Sequence, residues 1–164
     1  MTRSHSTSTA LVALWSLWAC VLGCGSGGGA KPSTVRQMSW KDDGVLVTAA
    51  SAMASLSTEG DREYLRITGT DFSVGVSLAV ATPTPLSPQP FVCGQTTAGQ
   101  TVYVSYNEPD GGVLTATPTC TVDVTQVGAV GGAPAVGTFQ ATVTTPDGAT
   151  KVLSNGSFNL PLTM

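Results

Sequence analysis

The run of residues 72–81, FSVGVSLAVA, alternates strictly between large apolar side chains and small ones. The large set consists of Phe72, Val74, Val76, Leu78 and Val80, all on one face. A period of two over ten residues is typical of a β-strand that buries one face. The other face carries serine, glycine and alanine and no charged residue. The sequence therefore allows this second face to be either covered or exposed.

The β signal continues through the chain after residue 34. Threonine, valine and isoleucine account for 39 of the 141 residues from 24 to 164, and β-branched side chains fit pleated strands better than helices. Shorter alternating runs recur between turn residues, at 38–41, 45–48, 50–57, 63–68, 101–106, 119–125, 138–144 and 151–162. No twelve-residue window there has a convincing helical period. We therefore predict an all-β fold, namely a single β-sandwich of Ig-like or jelly-roll-like type with about eight or nine strands.

Glycine, proline and acidic residues mark the predicted chain reversals. Asp42-Asp43-Gly44 predicts a hairpin turn, and residues 58–61 and 146–148 predict two more. Residues 82–90, TPTPLSPQP, contain four prolines, which excludes a central strand and predicts an extended connection between sheets. Residues 128–137, GAVGGAPAVG, predict a flexible loop.

Residues 1–23 do not read as part of the β domain. A polar start with Arg3 as its one fixed positive charge is followed by ALVALWSLWACVL over residues 10–22. This order is the signature of a secretory signal peptide. The run is too short to span a bilayer, which takes about 20 residues. A buried core helix is disfavoured because a glycine-rich stretch follows at once.

The predicted signal ends in Val21-Leu22-Gly23-Cys24, which resembles a bacterial lipobox. In proteins with this pattern the cysteine thiol receives a diacylglycerol and the signal is cut before it, so the resemblance implies lipidation at Cys24. Two or three acyl chains anchor a protein stably where one does not. The residue after Cys24 is Gly25 and not an aspartate, and in this the chain resembles lipoproteins that are sent to the outer membrane. We therefore expect a lipid-anchored protein of the bacterial cell envelope, on the periplasmic or surface face of the outer membrane.

Residues 24–34 join this anchor to the predicted domain, residues 35–164. The ten residues after Cys24, GSGGGAKPST, include no apolar side chain able to pack except Ala30. A flexible coil of that length spans roughly 17–19 Å. The composition predicts a tether that lifts the domain clear of the lipid headgroups.

Removal of residues 1–23 leaves three cysteines, Cys24, Cys93 and Cys120. With Cys24 carrying lipid, the other two form a pair in an oxidising compartment. A structural zinc site would want four ligands, and a reactive redox pair usually has the spacing Cys-x-x-Cys. We therefore predict a structural disulfide between Cys93 and Cys120.

The same removal leaves no histidine, because His5 lies in the predicted signal. Most catalysis near neutral pH needs such a base, and histidine is a common ligand of transition metals. None of Lys31, Lys41 and Lys151 has an apolar sequence context that would lower its pKa. We predict no enzymatic activity, no catalytic residue, no metal site and no cofactor. A formal charge of −3 also excludes nucleic-acid binding through a basic patch.

Three alternatives use side chains in or beside predicted turns. The acidic groups are Asp42 with Asp43, Glu59 with Asp61 and Glu63, and Glu108 with Asp110. They leave open a hydrolase with paired carboxylates, although turn acids usually serve the turn itself. Segments 42–44 and 107–111 also offer oxygen ligands for calcium. Tyr103, which points opposite to its apolar neighbours, and Trp40, beside a turn, are candidate stacking platforms for a glycan.

Three short segments resemble an uncharacterised family of small secreted bacterial lipoproteins with a single all-β domain. They are LRITG at 65–69, GTF at 137–139 and NGSF at 155–158, in an order and spacing similar to that family across residues 38–162. The proline-rich segment and the cysteine pair depart from it. The resemblance implies fold and location and carries over no activity or site residue. The segments' glycines suit strand ends or bulges, and Asn155-Gly156 also suits a hairpin turn.

Taken together, these features predict a non-catalytic structural or interaction module held at the membrane by its lipid anchor. Its expected partner is an envelope protein or a glycan, and not a nucleic acid. The alternative is an extracellular ligand-binding module, either glycan-binding or calcium-dependent. A hydrolase is the least favoured possibility because no base is present.

Overall fold

The computed structural model describes residues 37–95, 99–115, 119–144 and 147–164. Within them the chain forms twelve β-strands and no α-helix. The strands are β1 (Gln37–Asp42), β2 (Val45–Thr48), β3 (Ser51–Glu59), β4 (Arg62–Asp71), β5 (Val74–Pro83), β6 (Gln89–Val92), β7 (Thr101–Asn107), β8 (Val113–Thr115), β9 (Cys120–Gln126), β10 (Ala135–Thr144), β11 (Thr150–Leu160) and β12 (Leu162–Thr163). None of the described segments is a helix with the length and apolarity to cross a membrane. The predicted signal (1–23), tether (24–34) and lipidation site, Cys24, lie outside the described residues.

All twelve strands belong to one hydrogen-bonded sheet. Its main path runs β12-β3-β4-β5-β7-β8-β10-β11-β1-β2, while β9 pairs with β10 and β6 pairs with β9. Every pair is antiparallel except β12 with β3. β8 joins two halves of the sheet, because it pairs with β7 along its length and with β10 only through Thr115 and Thr144.

β12 connects one end of this sheet to its other half. Pro161 alone separates β11 from β12, and β11 lies between β10 and β1 whereas β12 pairs with β3. The chain thus carries the end of β11 across to the first half. Both halves contribute to one cluster of buried apolar side chains, which includes Trp40, Leu65, Leu78, Tyr106, Leu153 and Phe158.

The all-β prediction is confirmed. Alternation correctly identified the buried face of most strands, for example Val102, Val104 and Tyr106 on β7. The structure has twelve strands, joined in one continuous sheet, where about eight or nine were predicted. The difference comes mainly from β6, β8 and β12, which have two to four residues each. Strands this short carry too little alternation to stand out in a sequence.

The hairpin turn at Asp43-Gly44 is also confirmed. Both residues have positive φ, 45° and 90°, as the favoured two-residue hairpin turn requires. The proline-rich connection is shorter than predicted, because Pro83 ends β5 and Gln89 begins β6. Within the described residues β6 pairs only with β9, so Pro90 lies on an edge strand, where a missing N–H is tolerated.

The prediction for one residue of the run 72–81 was wrong. Phe72 was expected on the buried face, but its side chain is 100% exposed. Asp71 pairs with Val74, so Phe72 and Ser73 form the two-residue turn between β4 and β5. Alternation gives the phase of a strand but does not mark the residue at which the strand begins.

Asn155 lies in a β-bulge, so Asn155 and Gly156 do not form the hairpin turn that they also suited. Phe139 pairs with Gly156 and Ala141 pairs with Leu153, so Gln140 alone faces two residues of β11. The bulge shifts the phase of β11 by one residue. Leu153 before it and Phe158 after it both point into the core.

Two glycines on β10 and β11 lie under aromatic rings. Gly137 pairs with Phe158 and Gly156 pairs with Phe139. A Cβ built on Gly137 would lie 2.5 Å from Cζ of Phe158, and one built on Gly156 would lie 2.5 Å from Cε1 of Phe139. Each phenylalanine therefore occupies the space that a side chain opposite it would need.

Candidate binding groove on the outer face of the sheet

The outer face of β4, β5 and β7 carries a groove of about 320 Å³. The core residues of these strands alternate with residues that point outward, and the outward ones form its lining. That lining includes Tyr64, Arg66, Ala79, Ala81, Thr101 and Tyr103. The small second face of residues 72–81, which the sequence left open, is the floor of this groove.

Strand register places the two tyrosines diagonally across β5. Tyr64 pairs with Ala81, and Tyr103 pairs with Ala79. With about 4.8 Å between strands and about 3.3 Å per residue along them, the two tyrosine Cα atoms lie about 12 Å apart. Tyr103 is 53% exposed and Tyr64 is half-buried. Two aromatic side chains therefore flank a low floor of alanine methyl groups.

Arg62 braces one end of the groove. Its Nη2 donates a hydrogen bond to the backbone carbonyl of Gly99, and its guanidinium carbon lies 6.0 Å from the centre of the Tyr64 ring. That separation is within the range of a cation–π contact. Arg62 is thus engaged with the protein and holds Tyr64 in place.

Arg66 carries the free charge of the groove. Its side chain is exposed, and it forms no salt bridge or hydrogen bond with another described residue. No aspartate or glutamate of the described ranges contributes to the lining. A guanidinium with five N–H donors therefore faces solvent beside Tyr64 on β4 and across Ala79 from Tyr103.

A second group of ionisable side chains lies where β1, β7 and β11 meet. The buried Tyr106 hydroxyl donates a hydrogen bond to Oδ2 of Asp42. Lys151 Nζ lies 3.3 Å from Oδ1 of Asp42, 3.2 Å from the Tyr106 hydroxyl and 4.6 Å from the centre of its ring. These contacts link the three side chains and tie three strands together.

The protonation of this cluster matches that structural role. Burial raises the pKa of Tyr106 to about 12, and the hydrogen bond to Asp42 acts in the same direction against the influence of Lys151. Burial alone would lower the pKa of Lys151, but the Tyr106 hydroxyl and the Asp42 charge outweigh it and leave that pKa raised. Near neutral pH the tyrosine is therefore neutral and the lysine charged, so neither is poised to act as a base.

The carboxylates of three other acidic residues accept hydrogen bonds from nearby backbone N–H groups. Asp43 Oδ1 accepts a hydrogen bond from the Val152 N–H at 2.8 Å, and Glu63 Oε2 accepts one from the Leu86 N–H at 2.7 Å. Asp110 Oδ1 accepts one from the Gly112 N–H at 3.1 Å within its own turn. Across the described ranges, no three His, Cys, Asp or Glu side chains gather in a way that could hold a metal ion.

The two aromatic candidates have different outcomes. Tyr103 points outward as predicted, whereas Trp40 is fully buried in the core and is not a stacking platform. Trp40 was wrongly assigned because its position beside a turn does not fix its face; its strand neighbour Met38 is buried with it. Tyr64 and Arg66 were not recognised as site residues. They stand two apart on β4, but only the pairing order β4-β5-β7 brings them beside Tyr103.

The predicted cysteine pair is joined. A disulfide links Cys93, after β6, to Cys120, the first residue of β9, with their Cα atoms 5.0 Å apart. The Cys93 N–H also donates a hydrogen bond to the Cys120 carbonyl at 2.9 Å. The bridge therefore fastens β6, an edge strand, to β9, with which it pairs.

Comparison with protein-family models, with curated proteins and with solved structures finds no match to this chain.

Proposed function

We propose that this chain is a lipid-anchored, non-catalytic interaction module of the bacterial cell envelope, most simply at the outer membrane. The observation that carries the binding role is the groove, which combines two flanking tyrosines with a guanidinium that has no partner in the described part of the chain, and whose described lining holds no carboxylate. In the cluster of Asp42, Tyr106 and Lys151, by contrast, the charged and hydrogen-bonding groups contact one another. The anchoring part of the proposal is supported by the lipobox-like Val21-Leu22-Gly23-Cys24.

Replacement of the predicted lipidation site tests the anchor. In cells fed a labelled fatty acid such as palmitate, the unmodified chain should incorporate label and fractionate with the outer membrane. Cys24→Ser should incorporate none and should remain uncut or be released. Cys20→Ser is the matched control, because it changes a cysteine inside the predicted signal and should leave label and location unchanged. A Cys24→Ser protein that is still cleaved and still held in the membrane fraction would contradict the proposal.

A second candidate function, glycan binding, is favoured by one feature of the groove. Tyrosine rings that flank a shallow, solvent-facing floor present apolar faces with polar ends, as a surface that receives sugar rings requires. The calcium-dependent version is not favoured. Asp42 is engaged by Tyr106 and Lys151, Asp43 by Val152 and Asp110 by Gly112.

Calcium dependence can be tested directly. We expect the melting temperature of the purified protein to be the same in calcium and in chelator, because three of the four carboxylates in segments 42–44 and 107–111 already have partners. A rise in melting temperature that grows with calcium concentration would mark preferential binding to the folded state. That result would restore the calcium-dependent alternative.

A further inference from the structure

We propose that the groove between Tyr64 and Tyr103 binds a short segment of an acidic glycan and that Arg66 receives the carboxylate of a uronic-acid unit. This inference rests on the binding role proposed above and names its ligand class. It is independent of how the chain is anchored.

The size of the groove favours a ring-sized ligand over a protein surface. Its volume, about 320 Å³, lies at the lower end of the range for small-molecule sites, about 300–1,000 Å³. A stable protein partner covers about 800 Å² on each side. The features that distinguish this face are confined to a few residues on three strands, so they match a short ligand segment.

The aromatic geometry favours sugars among ring-sized ligands. The two rings stand on either side of an alanine floor, with Cα atoms about 12 Å apart, so an extended chain of rings can lie along the floor and contact both. The C–H face of a pyranose packs on an aromatic face, and its hydroxyls are left for polar neighbours such as Thr101, which also lines the groove. Arg62 prevents collapse of the Tyr64 side by holding that ring against its guanidinium.

The charge of the groove favours an acidic sugar over a neutral one. Among the residues that the structure describes, Arg66 has no acidic partner and no carboxylate lines the groove, in a chain whose formal charge is −3. An arginine fork binds a planar carboxylate through two parallel hydrogen bonds. Because Arg62 is occupied by Gly99, one guanidinium is free, and it balances one negative charge. A uronic acid carries one such charge on each sugar ring.

An NMR titration of the full-length protein with trigalacturonate tests the proposal, with maltotriose as the neutral probe. We expect trigalacturonate to shift backbone signals on β4, β5 and β7, with a dissociation constant in the range of about 0.1–1 mM. Arg66→Gln should weaken trigalacturonate binding about tenfold or more and leave the affinity for maltotriose unchanged. Tyr103→Ala should weaken both probes, because each loses a stacking surface.

Two control variants match these changes away from the groove. Lys41→Gln removes one positive charge on β1, and Val113→Ala truncates an exposed apolar side chain on β8. Both should bind trigalacturonate like the unmodified protein. The circular dichroism spectra and melting temperatures of all four variants establish that each is folded.

Three outcomes would overturn the proposal. The first is no shift by trigalacturonate at about 10 mM, well above the expected dissociation constant. The second is equal affinity in the unmodified protein and in folded Arg66→Gln. The third is tighter binding of a tetra-aspartate peptide than of trigalacturonate, which would assign the groove to an acidic protein segment. None of these results depends on Cys24, so a failed glycan test leaves the anchoring experiment to judge the envelope role separately.

Discussion

Phe139 and Phe158 explain why two short segments of the sequence carry glycine. The segment GTF supplies Gly137 and Phe139, and the segment NGSF supplies Gly156 and Phe158. Across β10 and β11 each phenylalanine covers the glycine of the other segment. The glycines are therefore required by close packing and not by their own backbone angles, since neither is among the glycines with positive φ.

We predict that Gly156→Ala destabilises the protein by about 2–3 kcal/mol, because the new methyl group must displace the Phe139 ring from a packed core. Urea denaturation measures the change. Gly132→Ala is the matched control; its nearest contact would be 3.3 Å, at an exposed loop, so it should change stability by less than about 0.5 kcal/mol. Equal stability of Gly156→Ala and the unmodified protein would contradict the packing account.

At the scale of single residues, the sequence predicts faces well and strand ends poorly. Tyr103 was correctly assigned to the surface because Val102 and Val104 on either side of it belong to the core. Phe72 and Trp40 were assigned to the wrong environment. Phe72 lies in a turn and Trp40 lies on a strand near one, and alternation alone cannot say which residues near a turn still belong to the strand.

At the scale of elements, the disulfide holds β6 against β9. The two cysteines are separated by 27 positions, and closure of a loop of that size stabilises by about 3–4 kcal/mol in the chain-entropy model. We predict a loss of about 2–4 kcal/mol in the double variant with Cys93→Ser and Cys120→Ser, measured by urea denaturation. The same loss should follow reduction of the unmodified protein. If the double variant unfolds at the same urea concentration as the oxidised protein, the bridge does not contribute to stability.

The contact between β1, β7 and β11 predicts a loss of stability at high pH. Tyr106 holds its proton more tightly when folded, with a pKa of about 12 against about 10 in an unfolded chain. Its contribution is therefore complete below pH 10 and is lost between about pH 10 and 12. The raised pKa of Lys151 acts in the same direction. The free energy of unfolding should fall across this interval by about 2–3 kcal/mol on account of Tyr106.

Tyr106→Phe tests that assignment. The variant should be less stable near neutral pH, because Asp42 loses a buried donor, and should lose less stability above pH 10. Tyr103→Phe, on the exposed outer face, should retain the pH profile of the unmodified protein. Identical slopes for Tyr106→Phe and the unmodified protein between pH 10 and 12 would contradict the assignment.

Strands with a long alternating pattern could be predicted from the sequence. Which strands pair with one another could not. β5, β7, β9 and β10 follow from local patterns, but the pairing of β5 with β7, past β6, is a non-local choice. The groove depends on that choice, because it brings residue 64 beside residue 103. The cluster at Asp42 likewise combines positions 42, 106 and 151, which no local pattern links.

At the scale of the whole molecule, β12 joins the two ends of the core. Leu162 is buried, and Thr163 Oγ1 donates a hydrogen bond to the Ala54 carbonyl at 3.0 Å. We predict that Leu162→Ala costs about 2–4 kcal/mol, as truncation of a buried leucine does elsewhere, although its strand has only two residues. Met164→Ala is the control, since that side chain is fully exposed. Similar denaturation midpoints for the two variants would mean that β12 does not close the core.

The bulge in β11 divides the strand into two halves whose side chains alternate in opposite phase. Before it, odd-numbered residues such as Leu153 face the core; after it, even-numbered ones such as Phe158 and Leu160 do. Removal of a single residue at 154 or 155 would leave one regular alternation, in which positions 153, 156, 158 and 160 all still face the core. In a regular strand a one-residue deletion exchanges core and surface for every residue that follows; at this bulge it would instead straighten the strand and keep the core face of both halves.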